Sequence, residues 1–545
     1  MERRAVYRLF LAVLVLAFIP VIPGAVASDT PERVTLELMA PCPVAQVNDL
    51  EAVWDEVYRQ TDDFLNVRVN YTFTGFDDIG QRISLRIAAG EQLDGAFVAQ
   101  WTSPAMQDLI NQGLLRNLDE YFHNDAYPGL KTCFPEGYLA SNIFPDVDGT
   151  KHVFAVPFGN FDGGNAVYYR KDLADKYGVP EIVDYDSLIA YFEAIKANEP
   201  GMYPFTWIGT VDNMSLGFMA SLYRDQPQYA PFNYVQVSVT GGHEVYVHVA
   251  VREDNTAYAA RTFIPGLDPL WLDYWQSPFK DEDPLKQVYT ARDWYEKGYF
   301  TQDILNVADF EGEFMAGKAA SFVRGLNTYT GISERLANSI PGAELGTFIY
   351  NPNYRFDTVK AETSPFQVWN FMAVPVTSPN VDRVMGLLNW IFESQANHDL
   401  LELGIEGRHW IAVGDDKFAL PPDANPETNY NFPGYILTWN PTIQRRSADL
   451  PDEIVKAMKQ CGDPNNLVRA VESGFGFIMA PVELEVIQLN EVGAYFRALG
   501  NGAVADIKGE VERIQMMLDE AGYQTVIDEV ERQFNEFLKD NPYTP

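Results

Sequence analysis

Residues Asn380–Trp410 read NVDRVMGLLNWIFESQANHDLLELGIEGRHW. Val381, Val384, Met385, Leu388, Ile391 and Phe392 recur at three- and four-residue spacing, which predicts a helix with one buried face. A second short helix follows, Gly404 stops it, and GIEGRHW makes a polar-aromatic turn. Within that turn Glu406 and Arg408 are expected to pair internally and shape the loop, leaving Trp410 to reach a ligand.

Upstream, strands and helices alternate. Val34–Met39, Val67–Phe73 and Ala96–Ala99 have strand character. Asn48–Gln60, Asp78–Ala89 and Pro104–Gln112 have helical spacing, with Ile79, Ile83, Leu85 and Ile87 expected inward on the second. That order predicts a parallel sheet covered by helices, an α/β architecture. Asp148-Gly149 signals a hairpin before a strand at His152–Pro157. The strand Asn165–Arg170, the helix Lys171–Tyr177 and the helix Asp186–Ala197 then carry the chain into a second lobe. VQVSVTGGHEVYVHVAV at Val235–Val251 predicts a β-hairpin, with valines alternating on both sides of Gly241-Gly242. Strands at Ala320–Arg324, Gly346–Ile349 and Asn370–Pro375 follow. Helices close the chain, the last at Thr525–Leu538 with Thr525 as its N-cap.

At 545 residues the chain is too long for one ordinary core. Its net charge of −36 excludes phosphate-neutralising nucleic-acid binding and docking on an anionic membrane. The first 27 residues have Arg3, Arg4 and Arg8, an apolar run Leu9–Ile19 and the small-x-small Ala25-Val26-Ala27, the pattern of an export leader cleaved after Ala27. No cysteine follows that point until Cys42, so a lipid-anchored end is not expected. Cys42, Cys133 and Cys461 have no metal or redox spacing, and the six histidines do not cluster; neither cofactor nor metal is implied.

Several segments carry a family likeness. IAAGEQLDGAFVAQW at Ile87–Trp101, DGTKHVFAVP at Asp148–Pro157 and YYRKDLADKYGVP at Tyr168–Pro180 belong to it. So do WYEKGYFTQD at Trp294–Asp303, the opening stretch, GFGFIMAPVELEVIQLNEV at Gly474–Val492 and AGYQTVIDEVERQFNEF at Ala521–Phe537. In this order they resemble family 1 extracellular solute-binding proteins of ABC transporters, and within them the large oligosaccharide-binding branch with an extended C-terminal region. The resemblance implies a two-lobed periplasmic-binding-protein fold, hinge-linked, with the ligand cleft between the lobes. It implies a monomer that captures an oligosaccharide or related polar solute outside the cytoplasm and delivers it to the transmembrane subunits of an ABC permease. The expected division is lobe 1 at 28–157, lobe 2 at 158–345, a return to lobe 1 at 346–410, and mainly lobe 2 plus a C-terminal helical region at 411–545.

Sugars present apolar C–H faces and hydroxyl edges, so their sites combine aromatic platforms with polar side chains at strand ends. Trp101 follows a strand and precedes a helix, as a cleft-rim residue does, and Phe76 and Asp77 occupy the corresponding loop one strand earlier. Phe158, Asn160 and Asp162 lie where the chain crosses between lobes. Trp207 is a stacking platform or core under a loop; Trp271, Tyr274 and Trp275 line the cleft or form a satellite core. Arg324 ends a strand, Trp369 precedes one near a hinge, and Trp439 with Asn440 sits in a proline-bounded loop assigned to the second lobe.

The rival classes are an exported glycoside hydrolase and a peptide-binding protein. A hydrolase needs two carboxylates at fixed separation, and among 76 acidic residues a pair can always be named. No zinc spacing, nucleophile elbow or phosphate loop is present.

Overall fold

The computed structural model describes residues 30–543, apart from 43–46, 77, 160–163, 208–232, 240–244, 275–282, 302, 308, 357, 361–362, 365 and 426–427. Its first sheet has five strands in the order Val67–Thr74, Val34–Pro41, Gly95–Val98, Asn370–Ala373, Ala155–Phe158. The first three pair in parallel, Leu36 opposite Val69 and Leu38 opposite Gly95. Asn370–Ala373 enters antiparallel between its neighbours, Phe371 opposite both Val98 and Pro157. Burial of Leu36, Leu38, Met39 and Ala40 along one strand is the mark of a sheet covered on both faces.

Helices Leu50–Thr61, Ile79–Ala88 and Val381–Glu393 supply apolar stripes to this core. Ile79, Ile83 and Ile87 point inward as their spacing predicts, but Leu85 is 65% exposed, because it falls on the opposite side of the 3.6-residue turn. In Val381–Glu393 burial extends beyond the predicted face to Leu387 and Trp390, since the helix is packed on more than one side. The following helix, Gln395–Glu402, is capped by Ser394, which accepts from the Asn397 amide. The GIEGRHW turn is internal, with a different partner from the one expected. Arg408 reaches Asp49 Oδ2 at 2.6 Å, as does His409 Nε2 at 3.1 Å, rather than Arg408 pairing with Glu406. The bond from His409 is the leading cause that holds the Asp49 carboxyl below its ordinary value.

The second lobe is built on the antiparallel strands Ser321–Gly325, Asn165–Arg170 and Leu345–Phe348. Val167 and Tyr169 enter one core and Ala166 and Tyr168 another, on opposite faces of the pleat. A second antiparallel sheet pairs Tyr234–Ser238 with Tyr246–Val251 and adds Ala257–Ala259. Val235, Val237, Val247, Val249 and Val251 are buried, as the alternation predicts; the Gly241-Gly242 turn lies outside the described residues. This sheet is a platform for the C-terminal helices. The Ala257 and Ala259 amides donate to Asn535 and Glu531 of the helix Tyr523–Asp540, and the Tyr523 hydroxyl donates to the Tyr246 carbonyl. That helix starts two residues before Thr525; Gly522, at φ +86°, makes the left-handed step into it, a role the cap preference of threonine does not anticipate.

One core draws on residues between Leu36 and Phe158 and again between Val368 and Leu437. The largest core of the second lobe draws on Val167–Tyr350 and Val471–Leu538. The lobe boundaries therefore differ from the expected ones. Leu345–Phe348 still belongs to the second sheet, so the return comes near 368 rather than 346. Tyr430, Phe432, Ile436 and Leu437 remain in the first core beyond 411, in an irregular loop that has no periodicity to betray its burial.

Glu472 precedes the C-terminal helices. Burial pushes its carboxyl from 4.5 up to about 7, and its Oε2 is enclosed without a partner. The folded form therefore holds a proton that the unfolded chain releases at lower pH, and this stability is complete below pH 4.5 and lost as pH rises through about 7. The expected result for Glu472→Gln is a gain over wild type of about 2 kcal/mol at pH 8 and little at pH 4, read by urea unfolding. Parallel wild-type and variant stability curves between those pH values would reject it.

Candidate functional site

The strands Val34–Pro41, Val67–Thr74, Gly95–Val98 and Ala155–Phe158 run the same way, so their carboxyl ends share one edge of the first sheet, and Asn370–Ala373 starts there. Aromatic residues crowd the loops just beyond. The Trp101 Nε1 donates to the Trp369 carbonyl at 3.1 Å. Phe76 lies 6.0 Å from the Trp101 ring and 5.9 Å from Tyr435, and Tyr435 lies 5.7 Å from Trp439. Phe97 supports both Trp101 and Tyr435 from below. Trp369 is 66% exposed and Phe76 38%, with Trp101, Tyr435 and Trp439 half-buried. One exposed ring alone means little; several exposed or half-exposed rings gathered at one sheet edge mark a recognition surface.

The loop holding Tyr435 and Trp439 is tied down from three directions. The Tyr435 hydroxyl donates to the Pro41 carbonyl at 3.0 Å, and the Gly159 amide to the Trp439 carbonyl at 3.2 Å. From beneath, the Thr438 hydroxyl and Gln444 donate to the Glu402 carboxyl, while His398 Nε2 meets the Thr438 carbonyl at 3.0 Å. Burial raises the Glu402 carboxyl above its ordinary value. Arg445 bonds Asp399 at 2.6 Å and lies over the Trp410 ring.

In the second sheet the start of Asn165–Arg170 and the ends of Ser321–Gly325 and Leu345–Phe348 fall together, and six residues of sequence, 159–164, join the end of Ala155–Phe158 to the start of Asn165–Arg170. A Cβ on Gly325 would stand 2.7 Å from the Asn327 amide oxygen and 3.9 Å from that of Asn165, so the missing side chain leaves room for two exposed carboxamides. Arg324 stands exposed beside them, 3.2 Å from Glu311 and over the Phe310 ring; Glu311 also takes Arg335.

Of the predicted site residues, Trp101, Trp369 and Trp439 come together, with Phe76 beside them. Trp439 sits on the first lobe rather than the second, and Asn440 is fully buried, its amide donating to the Cys133 carbonyl. Phe158, Trp207, Trp271 and Trp410 are corrections. Phe158 has no exposed surface and fills the first core. Trp207 stacks on Phe300 at 6.2 Å inside the second core. Trp271 is the centre of a satellite core with Tyr234 and Tyr258. Trp410 turns inward, its Nε1 donating to the Gly404 carbonyl at 2.9 Å. Each is a large ring whose position in sequence fits a loop and whose apolar area is more stably buried. Asp77, Asn160, Asp162 and Trp275 lie outside the described residues, and of Tyr274 only the backbone is described. Tyr435, Asn165 and Asn327 were not anticipated; the signals were a tyrosine four residues before Trp439 and asparagines flanking glycines at strand ends.

Two α/β lobes, a crossing of the chain between them and an exposed aromatic surface at the first sheet's edge define a two-lobed binding protein. The chain belongs to the bacterial extracellular solute-binding protein family, whose model matches residues 48–398. Residues 472–539 match a domain of unknown function, DUF3502. A carbohydrate ABC transporter substrate-binding protein of Streptococcus pneumoniae is 23% identical over 487 residues, covering 87% of this chain and 85% of its own. Among solved structures, the N-glycan transport solute binding protein of Streptococcus pneumoniae superposes with a TM-score of 0.65 at 17% identity, over 93% of this chain and 99% of its own. The HMO binding ABC-transporter associated solute binding protein of Bifidobacterium longum infantis gives 0.56 at 12% identity, over 93% and 99%.

Proposed function

We propose that the chain captures an oligosaccharide between its lobes and presents it to an ABC permease, without chemical change to the sugar. The observation that carries this is the Trp101–Trp369–Phe76–Tyr435–Trp439 surface, an apolar platform at a sheet edge that matches the C–H face of a pyranose. The second-lobe carboxamides of Asn165 and Asn327 offer donors and acceptors to the hydroxyl edge. The pneumococcal N-glycan transport protein, of like fold, is known in complex with Man5GlcNAc, and a mannose-type or N-acetylglucosamine-containing oligosaccharide is the first ligand to try. The protein is exported as a monomer, with its leader removed near Ala27.

Saturating ligand at a hundredfold its dissociation constant is expected to stabilise the protein by about 2.7 kcal/mol. The companion assay is chromatography of the recovered sugar. Cleavage proportional to protein concentration would establish the glycosidase instead, and stabilisation by peptides alone would establish a peptide binder. The paired change Asn165→Ala with Asn327→Ala is expected to weaken the affinity about tenfold by calorimetry, the loss of one or two net hydrogen bonds. Wild-type affinity in that variant would remove the second-lobe edge from the site.

A further inference from the structure

The region that matches a domain of unknown function follows directly on a set of contacts that bind the two lobes to each other. The segment crossing from the second lobe to the first pairs Thr363–Ser364 with Val468–Arg469 in parallel, and the Ala470 amide adds a bond to the Ser364 carbonyl at 2.8 Å. Lys360 extends this attachment, its backbone amide reaching the Asn466 carbonyl at 2.7 Å and its Nζ the Leu467 carbonyl at 2.6 Å. The same crossing segment is held on the first lobe by buried Asn142, which donates to the Phe366 carbonyl and accepts from the Val368 amide, both at 2.9 Å.

Beyond Arg469 the chain touches the first lobe directly. The Arg469 guanidinium is 3.5 Å from the Ala140 carbonyl. A Cβ on Gly474, at φ +85°, would be 3.3 Å from that same carbonyl oxygen and 3.4 Å from the Lys151 Nζ. A Cβ on Gly476 would be 3.6 Å from the Gln107 Oε1. The Lys151 ammonium lies 4.6 Å from the centroid of Phe537, on the last helix, and burial lowers its affinity for the proton. Facing Lys151 are the like charge of Arg469 and the opposite charge of Asp540.

We infer that the C-terminal region is a pivot that couples the lobes, with Gly474 and Gly476 as its sliding surface and the Lys151–Phe537 contact as the catch that sets the resting angle. The two glycines present bare backbone to the first lobe, so Lys151 and Gln107 can shift across them as the lobes rotate. The strand pair at 363–364 and 468–469 keeps the region attached throughout. The cation–ring contact joins residues 386 positions apart and is the element that rotation breaks. This assigns the C-terminal helices a second task, beyond covering the sheet that contains Val235–Val251. The inference rests on the two-lobed reading but not on the identity of the ligand.

The test needs no sugar. Spin labels at Leu85→Cys and Met516→Cys, both exposed positions on different lobes, are placed in a Cys42→Ser background. Pulsed distance measurements are made on ligand-free protein. Lys151→Met keeps the aliphatic packing and removes the charge; it is expected to broaden or shift the inter-lobe distance distribution by several ångströms while the thermal midpoint stays near that of the parent. Gly476→Ala meets only an ordinary contact and is expected to leave the distribution unchanged. Gly476→Leu drives a wedge against Gln107 and is expected to shift it. Wild-type distributions in Lys151→Met and Gly476→Leu together overturn the inference. If Gly476→Leu fails to fold, Lys151→Met alone decides. Failure of every oligosaccharide to bind would sink the proposed function and leave these distances as a separate result.

Discussion

Trp101→Ala is expected to weaken oligosaccharide binding about 100-fold, a loss of about 2.7 kcal/mol, with the fold retained. The indole carries two terms. Its face is the part of the platform nearest the strand end, between Phe76 at 6.0 Å and Phe97 at 5.9 Å, so truncation leaves a gap where a sugar ring would rest. Its Nε1 bond to the Trp369 carbonyl fixes the start of the Asn370–Ala373 strand and so the orientation of the more exposed tryptophan. Trp101→Phe separates the terms. It keeps most of the apolar area and loses the donor, and is expected to cost about tenfold. Titration calorimetry of both variants with the tightest-binding oligosaccharide of a screen provides the measurement. If Trp101→Ala binds within threefold of wild type, the aromatic surface is not where the solute lies.

Part of this site was legible because a parallel sheet directs its strand ends to one edge, and Trp101 and Trp369 stand next to strands that alternation alone defines. Trp439 was legible as a residue but not as a place. Its loop has no periodicity, and its position on the first lobe is decided by Glu402, His398 and Gly159, contacts that span 36 to 280 positions. Trp207, Trp271 and Trp410 show the opposite limit. Loop composition around a tryptophan does not distinguish a rim from a satellite core, because both need a large ring and only tertiary packing decides which side meets water. The asparagines at 165 and 327 were invisible for a third reason. They act through a side chain that is missing, that of Gly325, and the register opposing Gly325 to Asn165 is a property of the folded sheet.

The helix Val381–Glu393 gives the second large effect. Gly129, in the short helix Pro128–Cys133, faces its last two turns. A Cβ there would stand 2.7 Å from the Glu393 nitrogen and 2.8 Å from the Phe392 carbonyl carbon, and closer still to the Asn389 carbonyl oxygen. All three are helix backbone, which cannot swing aside as a flexible side chain would. The approach is fixed further by the Gly129 amide donating to the Asn389 side-chain oxygen at 2.8 Å and by the Cys133 thiol at 3.4 Å from the Phe392 carbonyl. Gly129→Ala recovers up to about 1 kcal/mol of chain entropy but forces the two helices apart, for an expected net destabilisation of about 2 kcal/mol. Gly129→Val adds two methyl groups and is expected to cost about 4 kcal/mol, or roughly 10 °C in the midpoint of a lobe of this size. Gly129 itself meets the backbone of Val381–Glu393 and none of the platform side chains, so the folded fraction of Gly129→Ala should bind sugar with near wild-type affinity. Chemical denaturation gives the first quantity and calorimetry below the midpoint the second. An alanine variant as stable as wild type would mean that this helix, whose sequence most clearly announces a buried face, is held less tightly than its backbone contacts require.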